Sequence, residues 1–138
     1  MPFRLFRVRY AMNREKVQRI FAMDAVDGSL DLYEFPAVPE DGEFVAVSTR
    51  NCLTSSLSEE QARLILRDKV LRIVFQQGFF KLRDASLEME ALTAEIHLPY
   101  WLGFYGGRNA LRCRAMDAVR RRFEGAKASA FFEEWLAA

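Results

Sequence analysis

Histidine and cysteine are almost missing from this chain: one His and two Cys stand among its 138 residues. His97 has no Cys and no second His near it in sequence, so a zinc site would have to gather its other ligands from unrelated places. No metal and no other cofactor is expected. Cys52 and Cys113 lie far apart and outside any CxxC spacing, which removes a disulfide framework and reads as two buried, reduced thiols. No apolar run reaches the length that crosses a bilayer. At the N-terminus, MPFRLFRVRY carries its arginines inside the apolar stretch rather than ahead of it, unlike a secretory signal. A cytoplasmic protein with no membrane partner is the expectation. The chain also lacks GxSxG and HExxH, and GFYGGRN is too short for a phosphate-binding loop.

What is present is material for a core. The chain is 51% hydrophobic with twelve Phe, and 28% of it is charged, which is globular composition. Its length suits one compact domain over 1–138 that needs neither metal nor disulfide to fold. The net charge is +1, but it is unevenly spread. Asp24 to Glu43 holds seven acids and no base, while residues 1–20 hold six bases against one acid. Residues 108–127 hold seven bases against Asp117 and Glu124.

The first basic segment precedes, and the second contains, the same five letters: AMDAV spans Ala22 to Val26 and again Ala115 to Val119. Aligning VQRIFAMDAV with ALRCRAMDAV adds Arg19 over Arg112, and upstream MPFRL matches LPYWL through Pro2 and Pro99. The pattern predicts an internal duplication, about 2–35 and 95–138, of two related hairpins. In the second copy, Ile96, Leu98, Tyr100, Leu102 and Phe104 alternate with His97, Trp101 and Tyr105. Gly106 to Asn109 form the loop and ALRCRA returns. Setting Tyr105 opposite Ala110 places Leu102 against Cys113, Tyr100 against Ala115, and Trp101 beside Arg114. In the first copy, Phe6, Val8 and Tyr10 would face Ala22, Ile20 and Gln18, with Arg7, Arg9 and Arg19 on the outer face. That register leaves Phe21 outside, and a helix over 13–23 with Val17, Ile20 and Phe21 on one side competes with it. After each return strand, Asp24 or Asp117 supplies an acceptor that closes an Asx-type turn. Both aspartates are read as fold signatures, not as acids or bases.

Between the copies, EFVAVST (43–49) reads as a strand after the Asp41, Gly42 turn. LSEEQARLILRDKVLRIVFQQG reads as a helix with a Ser58, Gln61 capping box and a stop at Gly78. Its main stripe is Ala62, Ile65, Leu66, Val70, Ile73 and Val74; a second, Leu64, Leu71 and Phe75, implies burial on more than one side. Asp68 and Arg72 are spaced to pair. DASLEMEALTAEI fits either a short helix or the start of a long strand. A C-terminal helix should pack Phe131, Phe132, Trp135 and Leu136 on the sheet. The expected class is α+β: an antiparallel sheet with one long central helix, a C-terminal helix and two half-related hairpins.

LPYWLGFYGG followed by LRCRAMDAVRRRFEGAK resembles a hairpin module of uncharacterised prokaryotic proteins, and a bacterial source is the expectation. There a PYW-type strand turns back into a strand ending in DA or DAxTG. The module is similar to PepSY-like and cystatin-like arrangements, and the resemblance implies an accessory, binding or regulatory role with no catalytic residues to transfer. Arg120 and Arg121 stand where the module has Thr and Gly, which bears on the geometry after Asp117.

Three functions compete. The leading one is a non-catalytic interaction or ligand-binding module for an unknown protein or small ligand. Its binding residues are His97, Trp101, Tyr105, Arg112 and Arg114, since exposed rings on one strand face call for a cover. The same surplus of apolar surface predicts a homodimer. The second is single-stranded nucleic-acid binding by the arginine and aromatic face. Against it stands a salt-bridged face, with Glu88, Glu90, Glu95, Asp31 and Glu34 set opposite the arginines. The third is a small enzyme in which Glu95 orients His97.

Overall fold

The computed structural model describes residues 1–12, 14–77, 87–107 and 110–138. It is α+β, with antiparallel strand pairs and two helices. The chain divides into two compact units, one of Pro2–Ile96 and one of His97–Ala138 with Met1.

The first unit is built on the longest hairpin. β1 (Pro2–Met12) pairs antiparallel with β2 (Glu15–Asp24) from Met12 opposite Glu15 to Phe3 opposite Asp24. Residues 15–24 are thus strand, and the competing helix does not form; Asn13 lies outside the described residues. The observed register is one residue away from the expected one: Phe6 faces Phe21, not Ala22. Because side chains alternate, this single step moves Phe21 inside, where it belongs. The same step puts Arg19 on the face opposite to Arg7 and Arg9. Alternation could not have revealed it, because Ile20 to Asp24 are buried on both sides of the strand.

β3 (Tyr33–Phe35) and β4 (Glu88–His97) complete a sheet of order β3-β2-β1-β4. The segment that fitted helix or strand is therefore strand from Glu88 onward, while 84–86 lie outside the described residues. α1 (Glu59–Gln76) opens as its sequence predicts: the Gln61 N–H donates to Ser58 Oγ and the Ser58 N–H donates back to Gln61 Oε1. Gly78, its expected stop, is outside the described residues. Ala62, Leu66, Val70 and Val74, each four apart, bury against Phe6, Val8, Tyr10, Phe21 and Met23. Each fully buried Leu, Phe or Val contributes about 1.5–3 kcal/mol. The second stripe is not buried: Leu64 is 64% exposed, so α1 packs on one side only. The helix's i,i+4 ion pair is Glu59 with Arg63 at 2.8 Å, while Arg67, Asp68 and Arg72 face solvent.

EFVAVST is not a strand. Asp41–Glu43 is a single 3₁₀ turn, closed by the Phe44 N–H on Asp41 O, and the residues after it run without strand pairing. Val45 is 83% exposed. β-Branched residues favour an extended backbone, but a strand needs a partner ladder, and none of the described strands pairs with this segment. Cys52 lies in the same stretch and is exposed, in contrast to the buried Cys113.

The second unit pairs β5 (Tyr100–Tyr105) with β6 (Arg112–Asp117), and β6 with β7 (Arg122–Phe123), in the order β5-β6-β7. Here the register is two residues from the expected one: Tyr105 faces Arg112, Leu102 faces Ala115 and Tyr100 faces Asp117. A shift of two preserves every face, so the expected alternation holds while the cross-strand partners differ. Gly106 (φ 109) begins the loop, where a Cβ would lie 2.2 Å from Ala110 O; Arg108 and Asn109 are outside the described residues. α2 (Ala126–Ala137) follows, with Ala128 and Phe132 buried. Met1 joins this unit by two hydrogen bonds with the Leu98 backbone. No described helix is long and apolar enough to cross a membrane.

Four residues beyond each aspartate the backbone turns left-handed, at Gly28 (φ 73) and at Arg121 (φ 55). An L side chain pays about 1–2 kcal/mol there, and a Cβ on Gly28 would also stand 3.0 Å from two Ile65 carbons. In urea unfolding, Gly28→Ala should therefore destabilise by about 1–2 kcal/mol or more, whereas Arg121→Gly should stabilise by about 0.5–1 kcal/mol. Equal and small effects at both positions would contradict the left-handed assignment.

Candidate functional site

Two places in the fold concentrate polar chemistry: the aspartate turns and the open face of the second sheet. At the first turn, Asp24 is fully buried. Its Oδ1 accepts from the backbone N–H of Val26, Asp27 and Gly28, at 2.8 Å for Gly28, and its Oδ2 accepts from Leu30 at 2.9 Å. The Ala25 N–H donates to Pro2 O, while Ala25 O accepts from Ser56 and Leu57, just ahead of α1. At the second turn, Asp117 is likewise fully buried, and its Oδ1 accepts from Val119 and Arg120 at 2.8 and 3.0 Å. Ala118 N–H donates to Pro99 O as Ala25 does to Pro2 O. The difference is a cation: Arg120 binds Asp117 Oδ2 through Nε and Glu124 through Nη2. Burial alone would lower the Arg120 pKa, but its bond to Asp117 and the two acidic charges carry it up. Both carboxylates are fully buried and every oxygen of each accepts at least one hydrogen bond from its own turn.

Burial raises the Asp24 carboxyl above its ordinary 3.8, and the N–H donors of Leu30, Gly28 and Asp27 only partly reverse this. Burial, then the charge of Glu133, pushes the Cys113 thiol up and away from the thiolate.

The second place is made by alternation. On β5, Tyr100, Leu102 and Phe104 point one way and Trp101, Gly103 and Tyr105 the other; on β6, Cys113, Ala115 and Asp117 share the first side and Arg112, Arg114 and Met116 the second. α2 covers the first side around Tyr100, Cys113 and Ala115, while Phe104 at the loop end of that side is 53% exposed. Phe132 stands 5.3 Å from Tyr100, ring to ring, and Glu133 Oε1 accepts from the Cys113 N–H at 2.7 Å. The second side is left open. Trp101 is 67% exposed, Tyr105 53% and Phe123, opposite Met116 from β7, 56%. Arg114 does not meet Trp101, which pairs with Met116; its guanidinium lies over the Phe123 ring at 3.9 Å. Gly103 faces Arg114 and leaves a place free of side chain between the two rings of β5, about 13 Å apart along the strand.

The face therefore joins four of the residues expected from the sequence, Trp101, Tyr105, Arg112 and Arg114, and adds Met116, Phe123 and the Gly103 opening. His97, the fifth, stands exposed at the last position of β4, outside these three strands. Glu95 accepts from the Ser55 hydroxyl. Phe123 was missed because the two-residue strand that presents it, RF, is too short to show a period.

Charge distinguishes this face from the first sheet. There the arginines meet acids: Arg7 with Glu90 at 2.9 Å, Arg9 with Glu90 at 3.5 Å and Arg19 with Glu34 at 3.0 Å. A cavity of about 310 Å³ lined by Arg7, Gln18, Ile20, Phe35 and Pro36 lies beside these pairs. Among the described residues, by contrast, no acid pairs with Arg112 or Arg114, and Asp117, Glu124 and Glu133 are engaged elsewhere in the unit. No family model, curated protein or solved structure matches this chain.

The turns make two linked predictions. In Asp24→Asn one amide nitrogen must face the Leu30 N–H, and in Asp117→Asn the Arg120 guanidinium loses its buried partner; each should cost about 1–3 kcal/mol in urea unfolding. The folded state holds the Asp24 proton more tightly than the unfolded chain does. The contribution of that proton is full below pH 3.8 and is lost as pH rises through the raised folded value. The stability gap between wild type and Asp24→Asn should narrow over that window; a gap that widens with pH would contradict the assignment.

Proposed function

We propose that the protein is a non-catalytic binding module whose ligand surface is the open face of β5, β6 and β7. One observation carries the reading: two rings on β5 and one on β7 are more than half exposed beside two arginines that no described acid pairs. Packing within the fold does not explain them, because α2 occupies the other side. A face of this kind suits a ligand that offers flat rings or apolar edges together with negative charge. The accessory role implied by the hairpin's resemblance to the PYW…DA module agrees with it. The equivalent pairing of Pro2 with Ala25 and of Pro99 with Ala118 supports an internal duplication as the origin of the two hairpins.

A second occupant, another copy of this chain, is favoured by the edge. β5 is an outer strand, and YWLGFY contains neither charge nor proline, the features that keep edge strands from pairing with one another. Antiparallel β5 pairing would give a homodimer.

Two measurements test these readings. Trp101→Ala with Tyr105→Ala should change stability by no more than about 0.5 kcal/mol, as expected of exposed positions. A larger loss would make the face structural. Light scattering at micromolar concentration should give twice the 16.0 kDa chain mass, and Trp101→Glu should return it to one; a monomeric wild type would remove the dimer.

A further inference from the structure

The rings and arginines of the open face are arranged in a way that narrows the ligand. Trp101 and Tyr105 project from one strand with the bare Gly103 between them, so neither ring is walled in by a side chain on its own strand. The next strand sets Arg112 directly opposite Tyr105 and Arg114 opposite Gly103. The Arg114 guanidinium carbon lies 3.9 Å from the centre of the Phe123 ring, which holds the cation beside that ring. Ring faces thus run along β5, and positive charge runs parallel to them along β6. The unit as a whole is basic, with seven Lys and Arg against four Asp and Glu from His97 to Ala138, while the rest of the chain is acidic in balance. The expectation that acids would neutralise the arginines holds for the first sheet and fails on this face.

We infer that the open face binds single-stranded nucleic acid, its bases stacking on Trp101 and Tyr105 and its phosphates meeting Arg112 and Arg114. This rests on the binding-face reading above and names the ligand class for it. A single strand supplies both halves of the complement, since every base has a stacking face and every linkage a charge. A duplex hides its base faces, and a sulfated polysaccharide has none. An acidic protein segment would satisfy the arginines but leave Trp101 and Tyr105 without flat partners. Among the described residues, β5, β6 and β7 carry no Asn, Gln, Ser or Thr to read base edges, so the binding is sequence-tolerant.

The test is a fluorescence-anisotropy titration of the whole chain with a labelled oligothymidylate of about ten nucleotides, alongside the matching duplex and heparin. The single strand should bind more tightly than the duplex, and Trp101→Ala should weaken it by roughly 5- to 100-fold. Arg112→Gln with Arg114→Gln should reduce the slope of log affinity against log salt by about 1.4, the value for two phosphate contacts on a single strand. All these side chains are exposed, and an unchanged melting temperature confirms that each variant is folded. Equal affinity for heparin and oligothymidylate, with Trp101→Ala without effect, would overturn the inference in favour of simple polyanion attraction. If the oligonucleotide does not bind but Trp101→Glu halves the mass in solution, the nucleic-acid inference falls and the binding face belongs to a second copy. If neither occurs, both readings fall.

Discussion

A buried carboxylate collecting the backbone donors of its own turn is the interaction on which the rest of this structure depends. At Asp24, four N–H groups converge on one side chain, and at Asp117 two N–H groups and a guanidinium do so. Taking a carboxylate out of water is costly, and the cost is offset only if its lone pairs are met. That requirement sets the path of the chain. The residue after each aspartate donates to the carbonyl of a proline, Pro2 or Pro99, whose own nitrogen can donate nothing. Each proline is thereby placed opposite the residue after the aspartate, and the register of the whole hairpin follows from that one pair.

The consequences run outward from the turns. Register in the first hairpin brings Phe6 and Phe21 to the same side, which creates the surface that α1 covers, while Ala25 O holds the chain just ahead of the Ser58 cap. Register in the second hairpin puts Cys113 and Ala115 under α2 and, by alternation, Arg112 and Arg114 on the open side. The turn that would be the first suspect for catalysis, with its buried acid and neighbouring arginine, is occupied in holding this geometry. The face proposed for binding is the one that the fold does not use.

What was legible in the sequence follows the same physics. α1 could be read because its cap and its four-residue spacing are local, and the turn role of AMDAV because an Asx turn is closed by one residue on its own neighbours. The registers could not be read from alternation. At Ile20 to Asp24 burial on both faces erases the period, and in the second hairpin a shift of two leaves every face unchanged. Placing each proline opposite the residue after its aspartate would have given both. EFVAVST failed for the opposite reason, because its composition favours extended backbone but pairing is a property of the whole sheet. Of the site, Trp101, Tyr105, Arg112 and Arg114 were legible as an alternating set, whereas Phe123 depends on a two-residue strand and His97 shares only sequence proximity with the rest.

Native-state hydrogen exchange tests the dependence on the turns most directly, because it reads the donors themselves. If the buried aspartates organise the fold, the amides of Gly28 and Leu30 should exchange as slowly as those of the β1–β2 ladder, through global unfolding, although they lie outside any strand. In Asp24→Ala the protection of both, and of Ser56 and Leu57 before α1, should fall together. Rapid exchange of Gly28 and Leu30 in the wild type, beside a protected ladder, would contradict it.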